Sequence, residues 1–145
     1  MIMLKSNNKK KIVYTTWILK INRYTKDKKI KTGKIKTYHS FFTSFPQELY
    51  QFFEIKENTI YLIKDSTKTD EIILTDEKPE IPVTYQKVKL VARRKNENKI
   101  PTTTFTLSRK LFSNLNNSKE VVFTLYPTSK DIYRNKIGVI SIKTI

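Results

Sequence analysis

The feature that most constrains this chain is an internal repeat. The stretch Phe45-Pro46-Gln47-Glu48-Leu49-Tyr50-Gln51-Phe52-Phe53-Glu54-Ile55-Lys56-Glu57-Asn58-Thr59-Ile60-Tyr61-Leu62-Ile63, moved along by 62 positions, falls without a gap on Leu107 to Leu125. Leu49 meets Leu111, Tyr50 meets Phe112, Phe53 meets Leu115, Ile60 meets Val122, Tyr61 meets Phe123 and Ile63 meets Leu125. Few residues are identical, yet the apolar rhythm agrees through a helical pattern and then a strand pattern, which a composition bias alone does not readily produce. Two copies of one unit follow. With 145 residues in all, each copy is too small to bury a good core of its own, so a core shared between them is expected. Eight Phe, eight Tyr and one Trp supply its bulk.

The rest of the chain fits around that repeat. Residues 1–11 are polar and basic and read as a loose arm. Residues 12–75 form the first copy. Ile12 to Tyr24 is a half-buried strand, with Trp17, Leu19 and Ile21 alternating against Lys20 and Asn22. A connection dense in Lys follows, with Gly33 free to turn, and Ile35 to Phe45 closes a hairpin with a cationic tip. Pro46 suits the first turn of a helix, and Leu49, Phe52 and Phe53 give that helix one apolar stripe. Thr59 to Lys64 and Glu71 to Thr75 are two more strands around a polar loop. Residues 76–82, with Pro79, Pro82 and three acids, are the linker.

Residues 83–145 repeat the order. Val83 to Arg94 is a strand, Lys95 to Lys99 the tip and Thr102 to Leu107 the returning strand. Ser108 to Leu115 is a second helix that Ser108 can cap, and Lys119 to Tyr126 and Lys136 to Lys143 are the last strands. The expected fold is mainly β with two short helices, built from two β-β-α-β-β repeats on one barrel-like core, their cationic tips pointing the same way.

Strand, basic turn, strand, apolar-Pro-x-x-Leu, short helix, strand, turn, strand is an order that resembles the AbrB/SpoVT-like, or swapped-hairpin, DNA-binding family. The likeness is carried by Ser44-Phe45-Pro46-Gln47-Glu48-Leu49, by Phe53 and Ile55, and by Thr59-Ile60-Tyr61-Leu62. It departs at Tyr50, where the family commonly has a basic residue, at Glu57-Asn58 in place of Gly-Asp, and at Ser108, where the second copy lacks the proline. The resemblance implies an intrachain pseudo-dimer of swapped-hairpin repeats, as in the tandem MraZ branch. It also implies DNA held by the first hairpin of each half. The counterparts by position are Lys20, Arg23, Lys26, Lys28, Lys29, Lys31, Lys34 and Lys36 in one half, and Lys87, Lys89, Arg93, Arg94, Lys95 and Lys99 in the other.

Charge leads to the same partner independently. Lys and Arg number 29 against 13 acids, a formal charge of +16. An AT-rich coding sequence inflates Lys, but it inflates acidic codons too, so the shortage of Asp and Glu calls for a polyanion. Cations on a two-stranded surface neutralise phosphates, and Arg23, Arg93 and Arg94 have the fork geometry for guanine edges. A solvated edge that discourages strand aggregation is the plain alternative. Trp17, Phe41, Phe42, Phe45, Phe52, Phe53 and Phe123 read as core, whereas Tyr24 and Tyr38 flank the basic hairpin. A single-strand or RNA-binding small barrel, with aromatics exposed between basic strands, is the second functional reading. An antitoxin or mobile-element accessory protein meeting an acidic partner is the third. His39 stands alone in mid-strand, and Asp65, Asp70 and Glu71 sit in a hairpin loop. No catalytic, metal or cofactor motif is present, so neither an enzyme nor a cofactor is expected. With no Cys and no long apolar run, a cytoplasmic protein without a membrane partner is expected, its self-association beyond the pseudo-dimer left open.

Overall fold

A computed structural model describes residues 15–64, 71–93 and 102–145. The basic arm, the loop 65–70 with Asp65 and Asp70, and the tip containing Arg94, Lys95 and Lys99 lie outside the described residues. Ten strands and one helical turn make up the rest: β1 (Thr15–Lys20), β2 (Asn22–Lys29), β3 (Ile35–Ser44), α1 (Leu49–Phe52), β4 (Thr59–Lys64), β5 (Ile72–Thr75), β6 (Thr84–Lys89), β7 (Val91–Arg93), β8 (Thr102–Leu107), β9 (Glu120–Asp131) and β10 (Lys136–Thr144). They form a six-stranded sheet in the order β1-β9-β10-β5-β4-β6 and a four-stranded sheet in the order β2-β3-β8-β7. All pairings are antiparallel. The larger sheet curls into a half-barrel whose edges β1 and β6 reach β3 and β8 of the smaller one.

Exchanging β1–β5 for β6–β10 leaves both strand orders unchanged. Hairpins β2–β3, β4–β5, β7–β8 and β9–β10 lie within a half, whereas β1·β9, β4·β6, β5·β10 and β3·β8 join one half to the other. Each half begins with one long strand in the sequence reading, and the structure breaks both. Ile21 and Leu90 are the break points, each buried as the chain steps from one sheet to the other. Their N–H groups keep a partner there, Ile21 donating to the Lys119 carbonyl at 3.0 Å and Leu90 to the Asn58 carbonyl at 2.7 Å.

The strand registers also correct the alignment of the repeat. Leu19 faces Val121 and Val88 faces Ile60, so the counterpart of Ile60 is Val121, not Val122. The second copy is one residue shorter between its apolar turn and β9 than the first is between α1 and β4. A one-residue slip turns every side chain to the opposite face, and with it Ile60 and Leu62 match Val121 and Phe123, all fully buried. The core is shared between the halves: Phe45 meets Phe105 edge-on at 6.1 Å, and Phe105 meets Phe123 at 6.0 Å. Phe41 and Phe53 join it, with Trp17 and Phe52 packed at its margin.

Only the first of the two expected helices forms. In α1 the Phe53 N–H donates to the Leu49 carbonyl at 3.0 Å, and the chain leaves through Glu57 and Asn58, both in the left-handed region at φ 53° and 54°. From Ser108 onward the chain makes consecutive turns instead. The Ser108 hydroxyl accepts the Lys110 N–H at 3.1 Å, and Ser118 donates to the Asn114 carbonyl at 2.6 Å. Asn114, Asn116 and Asn117 favour such local bonds over helix. Leu111, Phe112 and Leu115 are buried all the same, so the apolar spacing served turns as well as it would have served a helix.

The directions of the cationic tips need correcting too. Phe41 faces Leu107 and Ser44 faces Thr104. Each hairpin turn lies before its own central strand, and these two strands run antiparallel. The Lys29–Ile35 end therefore projects from one end of the small sheet, and the Thr102 end of β8 lies at the other.

Candidate nucleic-acid interface

Beyond its root, the β2–β3 hairpin leaves the body of the protein. Register runs from Asn22 opposite Phe42 to Lys29 opposite Ile35, closed by a turn in which Ile30 donates to Lys34 at 3.0 Å and Gly33 donates to Ile30 at 2.9 Å. Gly33 sits at φ 84°, which a residue with a Cβ would resist. From Arg23 to Ser40 every residue is exposed except Ile30, which is half-buried. The result is a two-stranded ribbon roughly 26 Å long at ~3.3 Å per residue, with solvent on both faces.

Lys26, Lys28, Lys29, Lys31, Lys34 and Lys36 all lie on this ribbon or its tip and are exposed. Lys28 stands directly opposite Lys36. Like charges in that position destabilise a strand pair, and nothing buried underneath compensates for it. Tyr24 and Tyr38 are exposed by 55% and 43%, and the Lys36 ammonium lies 5.3 Å from the Tyr38 ring centre. His39 is exposed, its Nδ1 3.4 Å from the Thr25 hydroxyl.

The other expected contacts fall elsewhere. Lys20 is exposed on β1, at one edge of the six-stranded sheet and opposite Glu120. Lys87 and Lys89 are exposed on β6, at the other edge, and Lys89 donates to the Glu57 carbonyl at 3.0 Å. Arg93 ends β7, paired with Thr102. Arg23 is engaged at the ribbon root. Its Nη2 lies 2.9 Å from the Asn116 carbonyl and 3.3 Å from those of Leu115 and Ser118, and its guanidinium stacks 5.4 Å from the Phe41 ring. Nη2 thus caps carbonyls of the second half's turns, which holds the guanidinium at the ribbon root against Phe41. Arg109, which the sequence reading left out of the site, stacks on the same ring at 5.3 Å and is exposed beside the ribbon root. Its only sequence signal was a basic pair, Arg109-Lys110, at the matching point of the repeat.

A separate cleft of about 230 Å³ lies against β5, β9 and β10, where Tyr126 donates to Glu71 at 3.3 Å and Ile73 and Val139 form apolar wall. Among the described residues no cluster of His, Asp or Glu could hold a metal ion, and no helix is long and apolar enough to cross a membrane. Comparison with protein-family models, with curated proteins and with solved structures finds no match to this chain.

Proposed function

We propose that this protein binds duplex DNA through its basic β2–β3 hairpin and acts as a transcriptional regulator, its frame an intrachain pseudo-dimer of swapped-hairpin repeats. One observation carries the reading: a fully solvated ribbon bears six lysines, two of them directly opposed, against the single carboxylate of Asp27. An element that buries nothing and repels itself gains by neutralisation, and a phosphate backbone supplies that by counterion release. Support for the frame comes from the strand orders, in which each half lends its first strand to the other half's fourth. The two hairpins point to opposite ends of the small sheet, so the β2–β3 ribbon is the principal contact. The second hairpin would add its contacts from the far end of the small sheet.

The test is a gel-shift titration of the Lys28→Glu, Lys29→Glu, Lys31→Glu triple variant against the wild type. Binding should be abolished while circular dichroism and the thermal midpoint stay unchanged. A variant that keeps the wild-type affinity would sink the ribbon as the contact surface.

A second reading, single-stranded DNA or RNA, is favoured by the exposure of Tyr24 and Tyr38 beside the lysines, since aromatics on an open strand surface stack on unpaired bases. Competition between duplex DNA, single-stranded DNA and RNA at fixed salt separates the two.

A further inference from the structure

The two faces of the ribbon are chemically unlike, and we infer that only one of them touches DNA. The inference rests on the nucleic-acid reading above and adds to it the contact face and the groove. Opposed residues of an antiparallel pair share a face, and successive residues alternate between faces. One face therefore carries Tyr24 with Ser40, Lys26 with Tyr38, and Lys28 with Lys36. The other carries Thr25 with His39, Asp27 with Thr37, and Lys29 with Ile35.

The first face has three cations, two phenols and no carboxylate. Its donors face no carboxylate across the strands, and the Lys36 ammonium lies over the Tyr38 ring. The second face is closed on itself. The Thr37 hydroxyl donates to Asp27 Oδ1 at 2.7 Å, Thr25 meets His39, and the Asp27 charge would repel a phosphate. A two-stranded ribbon fits the major groove of B-DNA, about 12 Å wide. With the first face inward, Lys26, Lys28 and Lys36 reach guanine O6 and N7 or the flanking phosphates. Tyr24 and Tyr38 donate their hydroxyls to the backbone.

Lys28 and Lys29 make the decisive comparison, being adjacent, equally charged and on opposite faces. Each is changed to Ala, along with Lys36→Ala and His39→Ala, and a mixed-sequence duplex is titrated by fluorescence anisotropy over a range of salt. Lys28→Ala and Lys36→Ala should each weaken binding roughly five-fold and lower the salt slope by about one. Lys29→Ala should lose clearly less than Lys28→Ala, by no more than half its factor, and His39→Ala should stay within about two-fold of wild type. All four side chains are exposed, and circular dichroism checks that the fold is kept. Equal losses at Lys28 and Lys29, or losses at neither, overturn the face assignment while leaving the nucleic-acid reading intact. A wild type that binds no nucleic acid overturns both. A wild type that prefers single strands, with Tyr24→Ala and Tyr38→Ala its weakest binders, overturns the groove.

Discussion

Arg134 shows how single side chains fasten the second half onto the first. It is almost entirely buried, with Nε 2.9 Å from Asp131 Oδ2, Nη1 3.2 Å from the Phe52 carbonyl and Nη2 2.9 Å from the Gly138 carbonyl. Its plane stacks on Phe52 at 4.3 Å and Phe53 at 4.9 Å. Gly138, at φ 109°, sits at the β9–β10 register shift, and a Cβ there would stand 2.8 Å from Phe52 Cζ. Removing the cation strands the Asp131 carboxylate in the interior, so Arg134→Ala should lower stability by about 3–5 kcal/mol in urea unfolding. Asp131→Asn should cost clearly less. Its amide oxygen can still accept the Tyr133 and Arg134 N–H bonds, and Arg134 keeps two carbonyls and two rings. The reverse ranking would mean that the pair is not what holds this turn. For Arg23 the structural role predicts that Arg23→Lys loses about 1 kcal/mol, since an ammonium gives up the planar stacking on Phe41 and the fixed geometry that aims Nη2 at the turn carbonyls, while the salt slope of DNA binding stays as in wild type. A slope that falls by one would return Arg23 to the phosphate contacts.

Elements were legible in the sequence to the extent that they bury something. The strands of the six-stranded sheet are legible because each shows an apolar side, and Phe41, Phe45, Phe53 and Phe123 are buried as expected, whereas Phe42 is only half-buried and Phe105, at the centre of the core, is not singled out by the sequence. On the sequence the outer part of β2, Thr25 to Lys29, reads as a connection because it buries neither face, so no alternation marks it, whereas the equally exposed Ile35 to Ser40 of β3 reads as strand. The strand character of outer β2 rests on pairing alone. The second helix was expected because Leu111, Phe112 and Leu115 keep the spacing of Leu49, Tyr50 and Phe53, and that spacing cannot distinguish a helix from tight turns over the same pocket. The engagement of Arg23 was beyond reach, since its partners lie more than ninety residues along the chain. Because the ribbon is solvated, it should be dispensable for folding. Replacing residues 25–39 by an Asn-Gly turn that joins Tyr24 to Ser40 should change the unfolding free energy by less than about 1 kcal/mol. The same variant should lose DNA binding. If the shortened protein fails to fold, the ribbon is part of the framework and its charge needs another explanation.

For the whole molecule, the pairing pattern decides whether either half could stand alone. Cutting between Glu80 and Ile81, both exposed, separates every joining pair: β1 from β9, β4 from β6, β5 from β10 and β3 from β8. What remains in each half is two isolated hairpins, and an isolated hairpin is at best marginally stable in water. The Phe45–Phe105–Phe123 cluster is divided as well, so neither fragment keeps a closed core. Fragments 1–80 and 81–145, purified separately, should therefore be unfolded by circular dichroism or paired with their own kind as dimers, because the strand order lets a half offer β1 to a β4 of its own type. Mixed in equal amounts, they should regain the spectrum of the intact chain and elute together in size-exclusion chromatography. A fragment that is monomeric and unfolds cooperatively would show that the exchange of strands between halves is not what makes the fold, and the pseudo-dimer would fall with it.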